Sequence, residues 1–419
     1  METNVRLDDQ DWLHDAATVQ LVKALTPTDG TEAVRFVGGC VRNALLGQPV
    51  DDIDLACVHE PDHIISLLQA AGLQAIPTGI AHGTITAIVD NKPFEITTLR
   101  ADIETDGRRA KVAFTTDWDE DARRRDFTMN AIYARADGTL FDPVGGIADA
   151  RAGRVRFIGA ADARIHEDYL RILRFFRFNA RYATGAPDQV GLEACARAAH
   201  GLKQLSGERV QAEFLKLLKA DRAAEIIHLM LERNLLKDIL PQAQSCNRLA
   251  RLIAIEKNHL FPHDAELRLA AVIENSEAAA STLTERWKLS NALRDRLLSI
   301  AQQTDSIACY LSMRETRRAL YRMGKRIFLD RLMLTWAADP KTSNDVRWLA
   351  LRAVAQAWER PTFPLSGRDA LAAGVPPGPE VGRVLAEVED WWMDAEFTED
   401  RFSLIERLKA VVQATIIQG

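Results

Sequence analysis

Cysteine is scarce in this chain of 419 residues, and its five copies (Cys40, Cys57, Cys195, Cys246, Cys309) never form a C-x-x-C pair. That scatter excludes a zinc knuckle and a disulfide framework, and it suits a reducing, cytoplasmic setting. No run approaches the roughly 18 apolar residues of a membrane span. The N-terminus, METNVRLDDQDW, is polar and acidic, unlike a signal or transit peptide. Positive charge is not in excess either: 53 Lys and Arg stand against 59 Asp and Glu, for a net charge of −6. A uniformly basic nucleic-acid binder is excluded, although a local basic stripe is not. Two glycine-rich nucleotide signatures, G-x-G-x-x-G and the Walker A loop with its Gly-Lys-Ser/Thr, are missing. So is a Ser/His/Asp triad on a nucleophile elbow. With 47% hydrophobic and 27% charged residues, the chain reads as folded and long enough for about two to four domains.

What is there changes texture along the chain. Up to residue 140, strands and helices alternate. The pattern predicts a strand over Val34–Val37 that breaks at Gly38-Gly39, a helix over Val41–Leu46 and a second strand over Asp52–Val58. Pro61–Gly72 reads as an amphipathic helix with proline in its first turn. Gly83–Val89 and Phe94–Leu99 alternate in period two around Asp90-Asn91-Lys92, as a hairpin does. Residues 101–120, centred on Asp106-Gly107, read as a mobile loop. Beyond residue 160, apolar residues recur at helical spacing over 163–182, 189–200, 207–235, 247–275, 281–304, 313–337, 344–357, 380–394 and 399–416. The expected fold class is therefore α+β: a small α/β head with a mixed sheet and flanking helices, then an all-α neck, body and tail. The boundaries fall at 20–145, 146–235, 236–340 and 341–419.

The chemistry concentrates in the head. Adjacent glycines at Gly38 and Gly39, after a strand and before a helix, let backbone approach a ligand and leave N–H groups free for phosphate. Arg42, one turn into that helix, can reach the same anion. Asp52 and Asp54 are two apart on a predicted strand, so both carboxylates share a face. Two hard oxygen ligands beside a triphosphate site suit Mg2+, which can activate an attacking hydroxyl and steady a leaving pyrophosphate. Each feature alone has a bland reading, a turn and a solvated strand edge. Their joint occurrence across one short helix is the stronger signal.

Four ordered motifs carry a resemblance. Gly38-Gly39-x-Val41-Arg42 with Asp52-x-Asp54 resembles the first motif of the branch of nucleotidyltransferases that holds class II CCA-adding tRNA nucleotidyltransferases and bacterial poly(A) polymerases. Arg124-Arg125-Asp126-Phe127-Thr128-Met129-Asn130-Ala131 is similar to its sugar-contacting motif, Glu167-Asp168-x-x-Arg171 to its base-reading motif, and Gly207-Glu208-Arg209-Val210 to its neck segment. The resemblance spans residues 30–235, with a weaker likeness over Leu365–Ala370 and Gly374–Gly382 in the tail. Asn43 stands where the family usually has Asp, and Tyr169 where it commonly has Pro. The resemblance implies that Arg125 contacts the nucleotide and Asp126 its sugar, with Asn130 in support, and that Arg174 and Arg177 also line the nucleotide site. Glu95, on the strand after the hairpin, is a third acid within reach of the pair or a structural residue on an exposed face.

Base reading has a physical rationale. Cytosine and adenine both present an amino donor where guanine and uracil present an oxygen. Asp168 can accept from that amino group while Arg171 donates to the adjacent ring nitrogen, and Asp168, Arg171, Arg174 and Arg177 or Phe178 recur on one face of a helix. The plain alternative is a salt-bridged surface helix. Other features stay open at this level: the basic run Arg314–Arg326 is a polar helix face or an RNA contact, and His263-Asp264 lacks the partners of a metal-dependent phosphohydrolase and reads as ordinary loop. The whole points to a Mg2+-dependent enzyme that adds C, C and A to tRNA 3′ ends from CTP and ATP. The 3′ end would lie in the head and neck cleft and the tRNA elbow on the tail. The alternatives are a poly(A) polymerase, an A-only or CC-only enzyme, or a non-catalytic RNA-binding protein on a transferase fold.

Overall fold

The computed structural model describes residues 2–7, 10–27, 29–102, 112–302 and 306–418. Two compact units divide the chain, Met1–Ile239 and Leu240–Gly419.

The first unit is built on a mixed sheet. Its strands in chain order are β1 (Glu2–Arg6), β2 (Val34–Val37), β3 (Asp54–Cys57), β4 (Gln74–Gly79), β5 (Thr84–Val89), β6 (Lys92–Thr98), β7 (Arg100–Asp102), β8 (Val112–Phe114), β9 (Tyr133–Ala134) and β10 (Thr139–Phe141). Eight of them form one sheet in the order β1-β10-β9-β2-β3-β6-β5-β4. The hairpin β5–β6 turns through Asp90 and Asn91, both at positive φ; Asp and Asn tolerate that region better than other side chains do. β3 runs antiparallel to β2 and parallel to β6, which sets Asp54 beside Glu95. Phe36, Leu55 and Ile96 on these central strands are buried. One helix, Ala16–Leu25, buries Leu21 and Leu25; another, Pro61–Ala70, opens on proline and buries Ile64 and Leu68 one turn apart.

Two expectations near the site need correction. The second strand begins at Asp54, so Asp52 precedes the ladder and is solvent-exposed. The stretch 101–120 is structured at both ends: β7 and β8 pair antiparallel, and Asp117 caps the helix Trp118–Arg123 through the Asp119 N–H at 2.8 Å. Its centre, 103–111 with Asp106-Gly107, lies outside the described residues.

The helical patterns prove to be segmented, because caps interrupt an apolar spacing that otherwise runs on. The expected 163–182 helix is two, Ala161–Glu167 and Leu170–Tyr182. Asp168 between them is extended (φ −156°, ψ 108°), and its carboxylate accepts the Leu170 N–H at 3.1 Å. The expected 207–235 helix divides into Gly207–Leu218 and Ala223–Glu232. In the second unit, 247–275 becomes Asn247–Asn258 and Ala265–Val272 around Pro262; 281–304 becomes Glu277–Trp287 and Asn291–Ala301; and 313–337 becomes Met313–Met323 and Lys325–Ala338, parted by Gly324 at φ 79°. Asp264, the acid of the His-Asp pair, caps the helix Ala265–Val272 and binds Arg296 at 2.6 Å. It is a structural residue.

The basic run of the second unit is also structural. Arg314 and Arg318 pair with Asp394, Arg322 with Asp390 and Arg317 with Glu396, all on or just beyond the helix Pro379–Asp394. Beneath that ladder Tyr321, Val384, Val388, Trp392, Leu404 and Leu408 share one apolar core. These arginines are spent on carboxylates, so the run is a helix–helix seam.

In the first unit, aromatic packing fastens the turn after the arginine run to the helix Leu170–Tyr182. Phe127 lies 4.9 Å from Phe157 and 5.1 Å from Phe178, and Phe157 stacks on Phe175 at 5.3 Å between centroids. Gly146 lets the helix Gly146–Arg151 approach the same turn: a Cβ there would sit 2.1 Å from the Thr128 carbonyl oxygen. Gly146→Ala should therefore cost about 2 kcal/mol or more of stability by overpacking against backbone. Gly382→Ala, at an exposed position of the helix Pro379–Asp394 with open space around it, should instead stabilise by about 0.5–1 kcal/mol. Urea denaturation of both variants checks the contrast.

Candidate active site

Gly38 closes β2 with φ 75° and ψ −121°, a conformation open to glycine and strained for other residues. Gly39 then opens the short helix Gly39–Leu45. A Cβ on Gly38 would lie 3.9 Å from Asp54 Oδ2, and one on Gly39 would lie 3.9 Å from Arg42 Nη2. The glycine turn thus separates a carboxylate from a guanidinium and leaves room between them. That room belongs to a cavity of about 500 Å3, the size of one nucleotide.

Three groups of side chains line it. Asp54, Gly38, Gly39 and Arg42 form one group; Arg125, Asp126, Asn130 and Arg174 form the second; Asp168, Arg171 and Arg209 form the third. Asp52 and Arg177, both expected at the site, are not among the lining residues. Asp52 stands before β3, close enough for its charge to be felt at Asp54. Arg177 turns to Glu213 at 2.6 Å, on the helix Gly207–Leu218, and covers the Phe178 ring at 4.5 Å. Leu170 lines the cavity, and Ile172, Leu173, Phe175 and Phe176 make the buried face of the same helix.

Electrostatics distinguish the groups. Asp54 is pushed up to about 6, first by burial and then by the neighbouring Glu95 and Asp52 carboxylates, against the pull of Arg125 and Arg42. Clustered acids without a bonded cation are the donor chemistry that a hard divalent ion satisfies. Among the described residues no three His, Cys, Asp or Glu side chains converge into a complete metal site. Mg2+ characteristically binds through one or two carboxylates and takes its remaining ligands from substrate phosphates and water, so the residues present fit it.

In the second group, Asp126 is buried and committed on both oxygens. Oδ1 accepts from Asn130 Nδ2 at 2.9 Å and from the Phe127 N–H at 2.8 Å, and Oδ2 accepts from Arg174 Nε at 2.7 Å. Burial opposes its ionisation, but Arg174 and Asn130 outweigh it and hold the carboxyl below its ordinary range. A ribose hydroxyl would meet an acceptor that is already largely used. Arg125 is anchored from behind by Asp121, an acid that sequence reasoning missed. The Asp121 carboxylate accepts from Arg125 (3.0 Å), Arg124 (3.0 Å), the Tyr133 hydroxyl (2.7 Å) and the Arg100 N–H (3.1 Å). Burial works against its charge, and the Arg125 and Arg124 guanidiniums override it, keeping Asp121 far below the usual carboxylate range.

At the third group, Asp168 and Arg171 both face the cavity but do not bind one another. Asp168 Oδ2 accepts from Arg209 at 2.7 Å, while Arg171 pairs with Glu167 and donates to the Arg164 carbonyl at 2.8 Å. Asp168 sits at a break between helices, so the expected single i, i+3 face begins at Arg171. Arg100, Arg124 and Arg209 also line the cavity without having been assigned a role from sequence. Arg124 and Arg209 lie inside the quoted motifs, where a residue-by-residue reading could have found them; Arg100 follows β6 with no local signal.

A central strand that sets a carboxylate opposite a Gly-Gly turn, feeding one nucleotide-sized cavity, defines a nucleotidyltransferase head. The family model described as the poly A polymerase head domain matches residues 34–156. A second, described as "Probable RNA and SrmB- binding site of polymerase A", matches 188–246. The mitochondrial CCA tRNA nucleotidyltransferase 1 of Danio rerio is 34% identical over 90% of this chain and 86% of its own. A CCA-adding enzyme of Latilactobacillus sakei is 29% identical over 84% of this chain and 88% of its own. Among solved structures, the Bacillus stearothermophilus CCA-adding enzyme in complex with CTP superposes with a TM-score of 0.77 at 25% identity, covering 96% of this chain and 98% of that one. The chain belongs to the family of CCA-adding tRNA nucleotidyltransferases.

Asp121→Ala should strand the half-buried Arg125 and destabilise the first unit by about 2–4 kcal/mol. In protein that remains folded, KM for CTP and for ATP should rise by similar factors if Arg125 meets groups common to both nucleotides, as the sequence resemblance implies. Thermal melts together with steady-state kinetics on both nucleotides check this.

Proposed function

We propose that the chain restores the 3′ CCA end of tRNA, adding C, C and A from CTP and ATP with release of pyrophosphate. The observation that carries this reading is one cavity uniting the Asp54 carboxylate and Gly-Gly turn with the Asp168 and Arg171 pair. In this reading the triphosphate lies along Gly38, Gly39 and Arg42, the sugar meets Asp126 and Asn130, and the base meets Asp168 and Arg171. Arg125 and Arg174 line the path between, while Arg177 pairs with Glu213 outside the cavity lining.

The tRNA 3′ hydroxyl attacks the α-phosphorus, the α–β bond breaks, and pyrophosphate departs. Mg2+ held by Asp52 and Asp54, with Glu95 in reach, would acidify the attacking hydroxyl and offset the charge of the leaving pyrophosphate. Asp168 keeps lone pairs free for an exocyclic amino group even while it accepts from Arg209, and Arg171 has its Nε–H to give to a ring nitrogen. Guanine and uracil would set an oxygen against the Asp168 carboxylate and leave both unpaired. The four-part division into head, neck, body and tail, with the tRNA elbow on residues 341–419, belongs to the same proposal. All five cysteines are free and four of them are buried, as a reducing compartment requires; the cytoplasm is the proposed location. No helix among the described residues is long and apolar enough to cross a membrane.

The test is incubation with tRNA lacking its CCA end and each labelled nucleotide, followed by sequencing of the added residues. Addition of A alone, or of long A runs, would overturn the reading in favour of a poly(A) or A-only enzyme. Asp54→Ala should abolish incorporation while tRNA affinity persists, since it removes a ligand and not core. Asp168→Ala should lower CTP and ATP use by roughly 5- to 150-fold, the cost of one unpaired buried partner, and narrow their advantage over UTP and GTP. An equal loss on all four nucleotides would show that Asp168 does not read bases.

A further inference from the structure

The arginine run divides between two cavities. Arg124 and Arg125 line the one already described, whereas Arg123 lines a second in the same unit, of about 880 Å3. Arg156 and Arg164 border it too. Each of the three is paired at its flank, Arg123 with Asp119 at 3.6 Å, Arg156 with Asp149 at 2.9 Å and Arg164 with Glu167 at 2.8 Å. The acid among the described lining residues, Asp188, is engaged by backbone: it caps the helix Gln189–Arg197 and accepts the Gly191 N–H at 2.8 Å. Small residues leave the hollow open. Gly159, Ala160, Ala161 and Ala163 line it, and a Cβ on Gly159 would meet nothing within 4 Å. Beside them Ile158 and Val190 supply apolar surface, and Val190 is 66% exposed. Guanidiniums grip phosphate oxygens and stack on flat bases, and apolar surface next to them suits the base itself. Glu167 ties this cavity to the first. It pairs with Arg164 on one side and with Arg171 on the other. Arg171 also donates to the Arg164 carbonyl at 2.8 Å and to the Arg124 carbonyl at 3.3 Å. A phosphate that draws Arg164 away leaves Glu167 to Arg171 alone. An arginine held by an undivided carboxylate has less to give to a base.

We propose that the cavity lined by Arg123, Arg156 and Arg164 is a second site for a free nucleoside triphosphate, and that its occupation weakens substrate use through Glu167. The phosphates meet the three guanidiniums and the base lies against Ile158 and Val190. Coupling is reciprocal: a substrate base that draws Arg171 from Glu167 returns that carboxylate to Arg164 and loosens the second ligand. The coupling, though not the site, rests on the reading of the first cavity as the nucleotide site.

The test uses the full chain with GTP as probe, since guanine is a base that Asp168 and Arg171 would turn away. Equilibrium dialysis of labelled GTP at saturating CTP, without tRNA, should leave GTP bound at equimolar stoichiometry. Arg123→Gln and Val190→Glu, both at exposed positions, should each weaken that GTP about threefold, and together about tenfold. CTP binding should stay within about twofold in these variants. In steady-state assays with Mg2+ in excess, GTP should raise KM for CTP to a plateau of about threefold, the scale of one shared ion pair. Competition for a single site would instead raise it without limit. Glu167→Gln should bind GTP at least as well and lose the rise in KM, because the shared carboxylate is gone. GTP wholly displaced by CTP, or unmoved by the double variant, would overturn the site. A rise in KM that survives Glu167→Gln would overturn the coupling. Displacement of GTP by tRNA lacking its CCA end, in proportion to the tRNA bound, would overturn the free nucleotide in favour of an RNA phosphate. Asp168→Ala keeps the two cavities apart: it should weaken CTP and leave GTP at the second within about twofold. Unchanged CTP binding there would sink the reading of the first cavity alone.

Discussion

Seven arginines line one cavity of about 500 Å3, and cations at that density repel one another unless something holds them. Asp121 holds more of them than any other single acid does. It is 1% exposed and accepts from two of the seven guanidiniums, from the backbone N–H of a third arginine and from Tyr133. A buried carboxylate with several donors is worth more than its separate pairs, because each donor lowers the cost of desolvating the others. Its pKa in the folded state lies below the unfolded value, so its contribution is present above the ordinary carboxylate range. That contribution fades only as pH falls through the folded value. At neutral pH the arginine frame is permanently set.

The same economy links distant parts of the first unit. Asp126 follows the arginine run directly, and Arg174 sits on the helix Leu170–Tyr182, yet they meet at 2.5 Å. Around them Phe127, Phe157, Phe175 and Phe178 pack ring on ring. Polar pairing sets the angle and aromatic burial supplies the adhesion. The consequence is that Asp54 on the sheet and Asp168 at the start of the helix are held in one frame, around a single cavity. A transfer that must present one phosphorus to one hydroxyl gains from such pre-organisation more than from any single contact.

Much of this was legible in the residues themselves. The Gly38-Gly39 turn, Asp54 on its strand and the 124–130 segment were visible because turn chemistry and side-chain spacing are local. The helix divisions were not, because apolar spacing continues across a break that one cap creates. Asp168 is the instructive case: an acid inside a helical pattern turned out to interrupt it by accepting the Leu170 N–H. Asp121 was hidden for a different reason. Its importance comes from four partners that the chain brings together only when folded, and from sequence it is one acid in the run Asp117–Asp121. Arg177 shows the opposite error. Its spacing matches Arg171 and Arg174, but Glu213 on a neighbouring helix draws it away.

Charge runs carry a general lesson here, because two of them met different fates. Arg123-Arg124-Arg125 and the run from Arg314 to Arg326 look alike as strings. In the first, two arginines share one buried acid and still expose guanidinium edges to a cavity. In the second, Arg314, Arg317, Arg318 and Arg322 meet Asp390, Asp394 and Glu396 nearly one for one along a helix seam. The ratio of acids to arginines separates a basic run that faces a cavity from one that joins two helices. By that measure Arg42 lies at the far end of the scale: the side chains bonded to it, Asn130, Tyr182 and Asn43, are all neutral.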